Sequence, residues 1–154
     1  MFQGELPSRV VIGFVSAGAY SGDYKMNPFN FKHYNIEFLC VYANGQSVPS
    51  KALQPKFDTN NYIEAYHTLF SGMGIEMGDA GVYCTREDYG QGYTLVVFDL
   101  TSHVYMADQQ PLHKKGNLSL EARFAKALPE AINVLVYAAF PSQLQVDQTR
   151  AILL

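Results

Sequence analysis

The sequence of 154 residues contains no tryptophan, only two cysteines and few charged side chains. Charged residues make up 16% of the chain, whereas they make up about 25% of an average soluble domain. The formal net charge is -3, and Lys114–Lys115 is the only adjacent basic pair. Because a nucleic-acid-binding protein presents a clustered basic surface, we expect no direct binding to DNA or RNA.

The two cysteines, Cys40 and Cys84, each lie in an apolar, strand-like run. Neither has the short Cys or His spacing of a zinc site, so the sequence predicts buried free thiols. No apolar stretch approaches the roughly 18 residues that a membrane span requires, and the N-terminus lacks the pattern of a signal peptide. We therefore expect a soluble protein without a membrane span, made inside the cell.

Most of the sequence has the pattern of β-strands. Apolar and polar residues alternate from 117 to 125, as in a strand with one buried face. Other strand-like runs are apolar on both faces, so a helix, a loop or another subunit must cover each face. These runs span 35–43, 93–100 and 133–140. A further strand-like run spans 9–15, and shorter strands are predicted at 143–147 and 151–154.

One helix is predicted, from Tyr62 to Met73, with Asn61 and Glu64 as a capping box and a glycine at its end. The polar segment 101–116 is predicted to be a long surface loop. A single helix among many short strands favours an all-β fold. We predict one domain, 1–154, built as an eight-stranded antiparallel jelly-roll sandwich with one short helix inserted in a loop.

Residue types that carry chemistry are present but scattered. Four histidines lack a short metal-binding spacing, and Glu87–Asp88 is predicted to lie in a solvated turn. The glycines after the helix have no adjoining GK[ST] motif, so they are interpreted as linker residues and not as a phosphate-binding loop. We therefore predict no catalytic, cofactor-binding or metal-binding residues and no enzyme activity. The histidines are His33, His67, His103 and His113, and the glycines are Gly72, Gly74, Gly78 and Gly81.

Tyrosine and phenylalanine are abundant, with 11 and 10 copies. Tyrosine rings stack on sugars, so a carbohydrate-binding module is an alternative, although packing and interface contacts are the more common role of tyrosine. The tyrosines in or beside predicted loops are Tyr20, Tyr24, Tyr83, Tyr89 and Tyr93.

The N-terminal third carries a family resemblance. The order Leu6-Pro7-Ser8 and 9–15, then Gly22, Asn27-Pro28-Phe29-Asn30-Phe31, Asn44-Gly45 and Val48-Pro49 resembles the C-terminal jelly roll of double-jelly-roll, hexon-like major capsid proteins. The most similar members belong to Polinton/Maverick and adintovirus-type elements. Further matching segments are 88–93, 99–101, 116–125 and Leu128-Pro129, so the resemblance covers nearly the whole chain.

The resemblance implies a structural subunit with two tandem jelly rolls per polypeptide, three polypeptides per capsomer and capsomers tiled into an icosahedral shell. It implies that the chain is located in the virion and that its partners are itself, as a trimer, and neighbouring capsid subunits. The upstream jelly roll is absent, so the chain is either the C-terminal half of a longer protein or a separate gene product, for which trimer and capsid formation do not follow. It implies no catalytic residues. A module repurposed by a host genome for interaction stays open as an alternative.

Two structural expectations accompany this reading. The isolated domain is expected to self-associate through a face that includes residues 95–100 or 135–137. The segment Asn27-Pro28-Phe29 is expected to form a buried corner in which Phe29 and Phe31 anchor a loop on the core, so that Phe29→Ala would cost about 3 to 5 kcal/mol.

Overall fold

The computed structural model describes residues 2–75, 83–101, 115–140, 145–146 and 152–153. Most of the predicted loop 101–116 lies outside these residues, as do His103, His113, Gly78 and Gly81. The strands are β1 Phe2–Glu5, β2 Arg9–Ser16, β3 Ile36–Ala43, β4 Gln46–Leu53, β5 Leu95–Asp99, β6 Lys115–Phe124, β7 Ile132–Ala139, β8 Gln145–Val146 and β9 Ile152–Leu153. The helices are α1 Ala17–Tyr20, α2 Ile63–Ser71 and α3 Arg86–Gln91, with a 3-10 turn at Phe57–Thr59.

Seven of the strands form two antiparallel sheets. One sheet has the order β1-β6-β3-β4 and the other has the order β5-β2-β7, while β8 and β9 pair with each other. All pairs in the two sheets are antiparallel. The chain is therefore mostly β, as predicted. The predicted alternation of 117–125 is confirmed, because Leu118 is buried and Leu120, Ala122 and Phe124 pack on the same core.

The inner faces of the two sheets form the main core. β2 contributes Val10, Ile12 and Phe14, each no more than 1% exposed, and the opposite sheet contributes Leu39 and Val41 from β3. Burial of this kind stabilises a fold by about 25 cal/mol for each Å² of apolar surface removed from water. The tight turn Asn44–Gly45 joins β3 to β4, and both residues have a positive φ, of 53° and 79°. This hairpin places β4 beside β3 at the sheet edge.

A second core covers the outer face of β5 and β2. Tyr62, Ala65 and Leu69, at the start of α2 and along it, pack with Tyr89 of α3 against Val97 of β5. The rings of Tyr66 and Tyr89 meet edge to face, with centroids 5.5 Å apart at 71°. The main core on one face and the helices on the other therefore bury both faces of β5, so 95–99 offers no free face for self-association.

The helix prediction is confirmed in place but wrong in two details. The observed α2 begins after Tyr62, which makes no side-chain capping bond, and Glu64 instead lies 3.7 Å from Lys51 Nζ. Helical spacing predicts an apolar stripe that includes Ile63 and Met73, yet these two residues are 51% and 41% exposed. The buried stripe runs through Ala65 and Leu69 because the nearby β5 faces that side of the helix.

Three further expectations are corrected. Glu87–Asp88 does not lie in a turn but in α3, whose capping box joins Thr85 and Asp88. Phe29 is 72% exposed, so the expected buried corner is wrong. It is the ring of Phe31 that lies against the sheet, beside Gly13 of β2. The strands β1 and β4 were not predicted. Within the described part of the chain, no helix is long and apolar enough to cross a membrane.

Candidate subunit interface

The strand β7 lies at one edge of the three-stranded sheet. It pairs with β2 along its whole length, from Ile132 opposite Ser16 to Ala139 opposite Arg9. Among the described residues, no strand pairs with its other edge. The ten residues 131–140, which include all of β7, contain no charged side chain. An uncharged open edge is unusual, because monomeric proteins commonly protect edge strands with lysine, proline or a bulge.

The inner face of β7 is only partly covered. Val134 lies opposite Phe14 and Val136 opposite Ile12, so both valines point to the side of the main core. They are nevertheless 45% and 39% exposed, whereas Phe14 and Ile12 are 1% and 0% exposed. The sandwich interior is therefore open to solvent along this edge. On the other face, Tyr137 is 67% exposed, since α2 and α3 cover β5 and β2 but do not extend to β7.

The backbone of β7 offers hydrogen-bonding groups at the open edge. The N–H of Ala17 donates to the carbonyl of Ala131 at 2.9 Å, which continues the β2–β7 ladder. In an antiparallel ladder the bonds alternate from residue to residue, so the odd-numbered residues of β7 bond to β2. The N–H and C=O groups of Val134, Val136 and Ala138 consequently point away from β2. This geometry is that of a strand able to accept another strand.

The outer face of the four-stranded sheet carries polar and charged side chains. Tyr42 donates a hydrogen bond to Glu121 at 2.9 Å, and the guanidinium of Arg123 lies 4.7 Å from the ring centre of Phe38. The Arg123 and Tyr42 side chains lower the pKa of Glu121 by bonding its carboxylate. This face therefore carries paired charges that suit contact with water, whereas β7 exposes Val134, Val136 and Tyr137.

A carboxylate fixes the beginning of β7. Glu130 precedes the strand and accepts hydrogen bonds from Ser16 Oγ at 2.7 Å and from Tyr34 OH at 2.9 Å, with Lys32 Nζ at 3.5 Å. These bonds, the one from Ser16 above all, lower the pKa of the Glu130 carboxyl. Glu130 thus ties the start of β7 to the end of β2 and to the loop before β3. The sequence patterns gave no signal for these polar groups.

The other candidate residues do not converge on a reactive site. His33 stacks on Phe57 at 4.0 Å between ring centres, and burial lowers its pKa. His67 lies on α2, and no group of three metal-ligating side chains occurs among the described residues. Cys40 is buried in β3 as predicted, whereas the prediction for Cys84 is wrong, because Cys84 lies outside the strands and is only partly buried. Burial raises the pKa of both thiols, which favours their protonated form.

The structure also locates the glycines and tyrosines that the sequence analysis considered as candidates. Gly72 ends α2 beside Val97, while Gly74 has a φ of 70° in the turn that follows. Tyr89 is fully buried, which corrects its assignment as a loop tyrosine. The other four tyrosines assigned to loops are 59% or more exposed, namely Tyr20, Tyr24, Tyr83 and Tyr93.

Two open clefts lie on either side of residues 33–35. The first has a volume of about 490 Å³ and includes Phe38, Phe57 and Arg123 in its walls. The second has a volume of about 530 Å³ and includes Tyr34 and Glu130. Lys126 borders the second cleft and bonds Asp58 of the first at 2.9 Å, so the two clefts share a wall held by an ion pair.

Comparison with known proteins gives one informative similarity. The chain is 29% identical over 155 residues to an uncharacterized protein of Caenorhabditis elegans. The match covers 97% of this chain and 36% of the worm protein, so the chain spans about a third of that relative's length. No family model matches the chain, and no solved structure matches it.

Proposed function

We propose that this chain is a structural capsid protein domain, a jelly roll that self-associates into capsomers of an icosahedral virus-like shell. Such a subunit has no catalytic role and acts in the virion through contacts with copies of itself, as trimers, and with neighbouring capsid subunits. The observation that carries the proposal is β7, an uncharged edge strand whose valines and tyrosine are exposed. Exposed apolar surface of this kind marks sites of protein association.

The strand order supports the jelly-roll part of the proposal. The orders β1-β6-β3-β4 and β5-β2-β7 match the two sheets of an eight-stranded jelly roll from which the first strand is left out. The place of that strand is the open edge of β7. Successive strands also alternate between the two sheets, except for the β3–β4 hairpin. Because a jelly roll serves many functions, the strand order supports the fold and not the shell by itself.

The sequence resemblance supports the role in a shell. The segments that resemble hexon-like capsid proteins include β2, the middle strand of its sheet, most of β6, an inner strand of the other sheet, and the Asn44–Gly45 turn. The worm relative is nearly three times as long as the matched part, which is compatible with a second domain in that protein. Because the worm protein is uncharacterized, the match carries no information on activity.

The proposal is tested by the assembly state of the purified chain. We expect oligomers in sedimentation velocity and light scattering at micromolar concentration, and regular capsomer-like particles in negative-stain electron microscopy. An enzyme would instead show turnover without assembly. A clean monomer at high micromolar concentration would contradict the proposal.

A carbohydrate-binding module is the second candidate, favoured by the exposed rings of Tyr20 and Tyr24, which are 60% and 90% exposed. Tyrosine faces of this kind stack on sugar rings. This alternative predicts that the monomer is retained on a glycan array and that Tyr24→Ala abolishes the retention. A host-repurposed interaction module would bind a partner protein without either sugar binding or assembly.

A further inference from the structure

We propose that His33 is an acid-sensitive latch on residues 33–35, the segment that lies between the two clefts. The neutral imidazole holds this segment in a left-handed conformation, and protonation of the ring releases it. The latch is contained within a single chain, so the inference is independent of the assembly in the proposed function.

His33 holds the segment as a hydrogen-bond acceptor. Its Nδ1 atom accepts the backbone N–H of Asn35 at 2.9 Å. An imidazole nitrogen accepts a hydrogen bond only while it carries no proton, so this contact requires the neutral ring with its proton on Nε2. In the protonated ring Nδ1 becomes a donor and faces the N–H of Asn35, which is also a donor. The bond is therefore lost when the ring is protonated.

The segment needs such a bond because its backbone conformation is unfavourable. Tyr34 and Asn35 have φ values of 45° and 53°, which residues other than glycine rarely adopt. Both ends of the segment are fixed, since the N–H of Lys32 donates to the Phe14 carbonyl at 3.1 Å and Ile36 is 4% exposed in the main core. Loss of the Nδ1 bond therefore acts on this segment and leaves the sheets in place.

The surroundings of the ring favour its neutral form. The half-buried His33 ring stacks on Phe57, with ring centres 4.0 Å apart and an angle of 6° between the planes. Burial lowers the pKa of His33 from its ordinary value of 6.5, whereas the charge of Asp58 in the 3-10 turn raises it. Lys126 bonds the same Asp58 carboxylate at 2.9 Å and so offsets part of that charge. The ring is therefore neutral at pH 7.

The other charged groups near the ring line the second cleft. Lys32, Lys126 and Glu130 lie in its walls together with His33, while residues 90–91 of α3 add no charge. Lys32 Nζ is 3.5 Å from the Glu130 carboxylate, so these two charges offset each other. Histidine is the side chain whose ordinary pKa lies within the range from about pH 5 to 8. Protonation of His33 therefore changes the charge of this cleft in mild acid.

The same kind of bond is made elsewhere in the chain by a side chain that does not titrate. Asn27 Oδ1 accepts the N–H of Phe29, two residues further on, at 2.9 Å, as in an Asx turn. His33 makes the equivalent bond to the N–H of Asn35 with an acceptor that protonation removes. An asparagine at position 33 would keep an acceptor at every pH, which provides a matched variant.

The test is a pH titration of the isotope-labelled chain by NMR, followed at the His33 ring and at the Asn35 amide. The hydrogen-exchange protection factor of Asn35 should fall about tenfold between about pH 7.5 and 5, because one hydrogen bond is lost. The Cα and Cβ shifts of Tyr34 should leave left-handed values with the same midpoint, which should equal the His33 pKa and lie below 6.5. Glu130 should stay charged in this range, since hydrogen bonds, that from Ser16 above all, lower its pKa.

Two substitutions at position 33 separate the acceptor from the ring. His33→Asn keeps an acceptor that is not protonated, so Asn35 should stay protected over the whole range. His33→Phe keeps a ring that can stack on Phe57 but has no acceptor, so Asn35 should already be poorly protected at neutral pH. His67→Gln, at an exposed histidine of α2, is the control, and its Asn35 should lose protection in acid as in the wild type.

Each outcome decides the inference. Constant protection of Asn35 while His33 titrates overturns it, and so does a loss of protection in His33→Asn that matches the wild type. A His33 pKa at or above 6.5 shows that the fold favours the charged ring and also overturns the latch. If His33→Phe does not fold, the wild type and His33→Asn still give both results. These measurements do not depend on assembly, so a negative result here leaves the proposed function standing.

Discussion

Gly72 lies directly against Val97, and a β-carbon added to Gly72 would stand only 2.6 Å from Val97 Cγ1. Because Gly72 has no side chain, its backbone at the end of α2 packs directly on the Val97 side chain of β5. This close contact is one of those that hold α2 on the outer face of β5.

Gly72→Ala should destabilise the fold by about 1–3 kcal/mol, because the added methyl overpacks the contact with Val97. Alanine is ordinarily the better helix former, so the sign of the change is diagnostic. Urea unfolding measures it, with Ser71→Ala as the control on an exposed neighbour in the same helix. A Gly72→Ala protein as stable as the wild type would show that α2 can move away from β5 at little cost.

Strands and helices with a regular apolar spacing could be predicted from the sequence. The remaining features of the fold depend on packing between elements that are distant in the sequence. The alternation in β6 and the helical spacing of α2 are local patterns, so both were found. The short helix α3 was missed although Thr85 and Asp88 carry a capping signal, because Gly90 and the adjacent acidic pair suggested a turn. Local periodicity detects long elements better than a helix of six residues.

The candidate interface could be predicted only in part. β5 and β7 have the same two-faced apolar pattern, and both were predicted as possible contact faces. Only the tertiary structure shows that Val97 is 3% exposed while Val136 is 39% exposed. The one sequence signal that separates the two strands is charge, since Asp99 ends β5 whereas residues 131–140 have none.

Phe29→Ala should change the free energy of unfolding by less than about 1 kcal/mol, because the ring is 72% exposed. Phe14→Ala, at a ring that is 1% exposed between the sheets, should cost about 3–5 kcal/mol. Chemical denaturation of the two variants gives a direct comparison of the same substitution. Equal losses would mean that the loop carrying Phe29 packs on the core in solution.

Tyr89→Phe should leave stability unchanged or raise it by about 1–3 kcal/mol, because the buried hydroxyl has no hydrogen-bond partner among the described residues. Tyr66→Phe is the matched control, since its hydroxyl donates to the Cys84 carbonyl at 2.7 Å and its loss should cost about 1 kcal/mol. Thermal unfolding of both variants measures the difference. A marked loss in Tyr89→Phe would reveal a partner for that hydroxyl.

The hydroxyl of Tyr34 should make stability depend on alkaline pH. Burial, followed by the hydrogen bond to Glu130 and the charge of Glu130, raises the pKa of Tyr34 from 10.0 to about 12. The folded state holds this proton more tightly than the unfolded state does, so the contribution is complete below pH 10. It is then lost as the pH rises from 10 to about 12.

Tyr34→Phe should therefore lower stability at neutral pH, because Glu130 loses a hydrogen bond, and should flatten the decline of stability above pH 10. Urea unfolding across this range measures both effects. Tyr24→Phe, at a ring that is 90% exposed, is the control and should leave the wild-type profile intact. Since Glu130 anchors the start of β7, Tyr34→Phe should also weaken self-association if β7 forms the subunit contact. An unaltered alkaline decline in Tyr34→Phe would assign it to other tyrosines and contradict the role given to this bond.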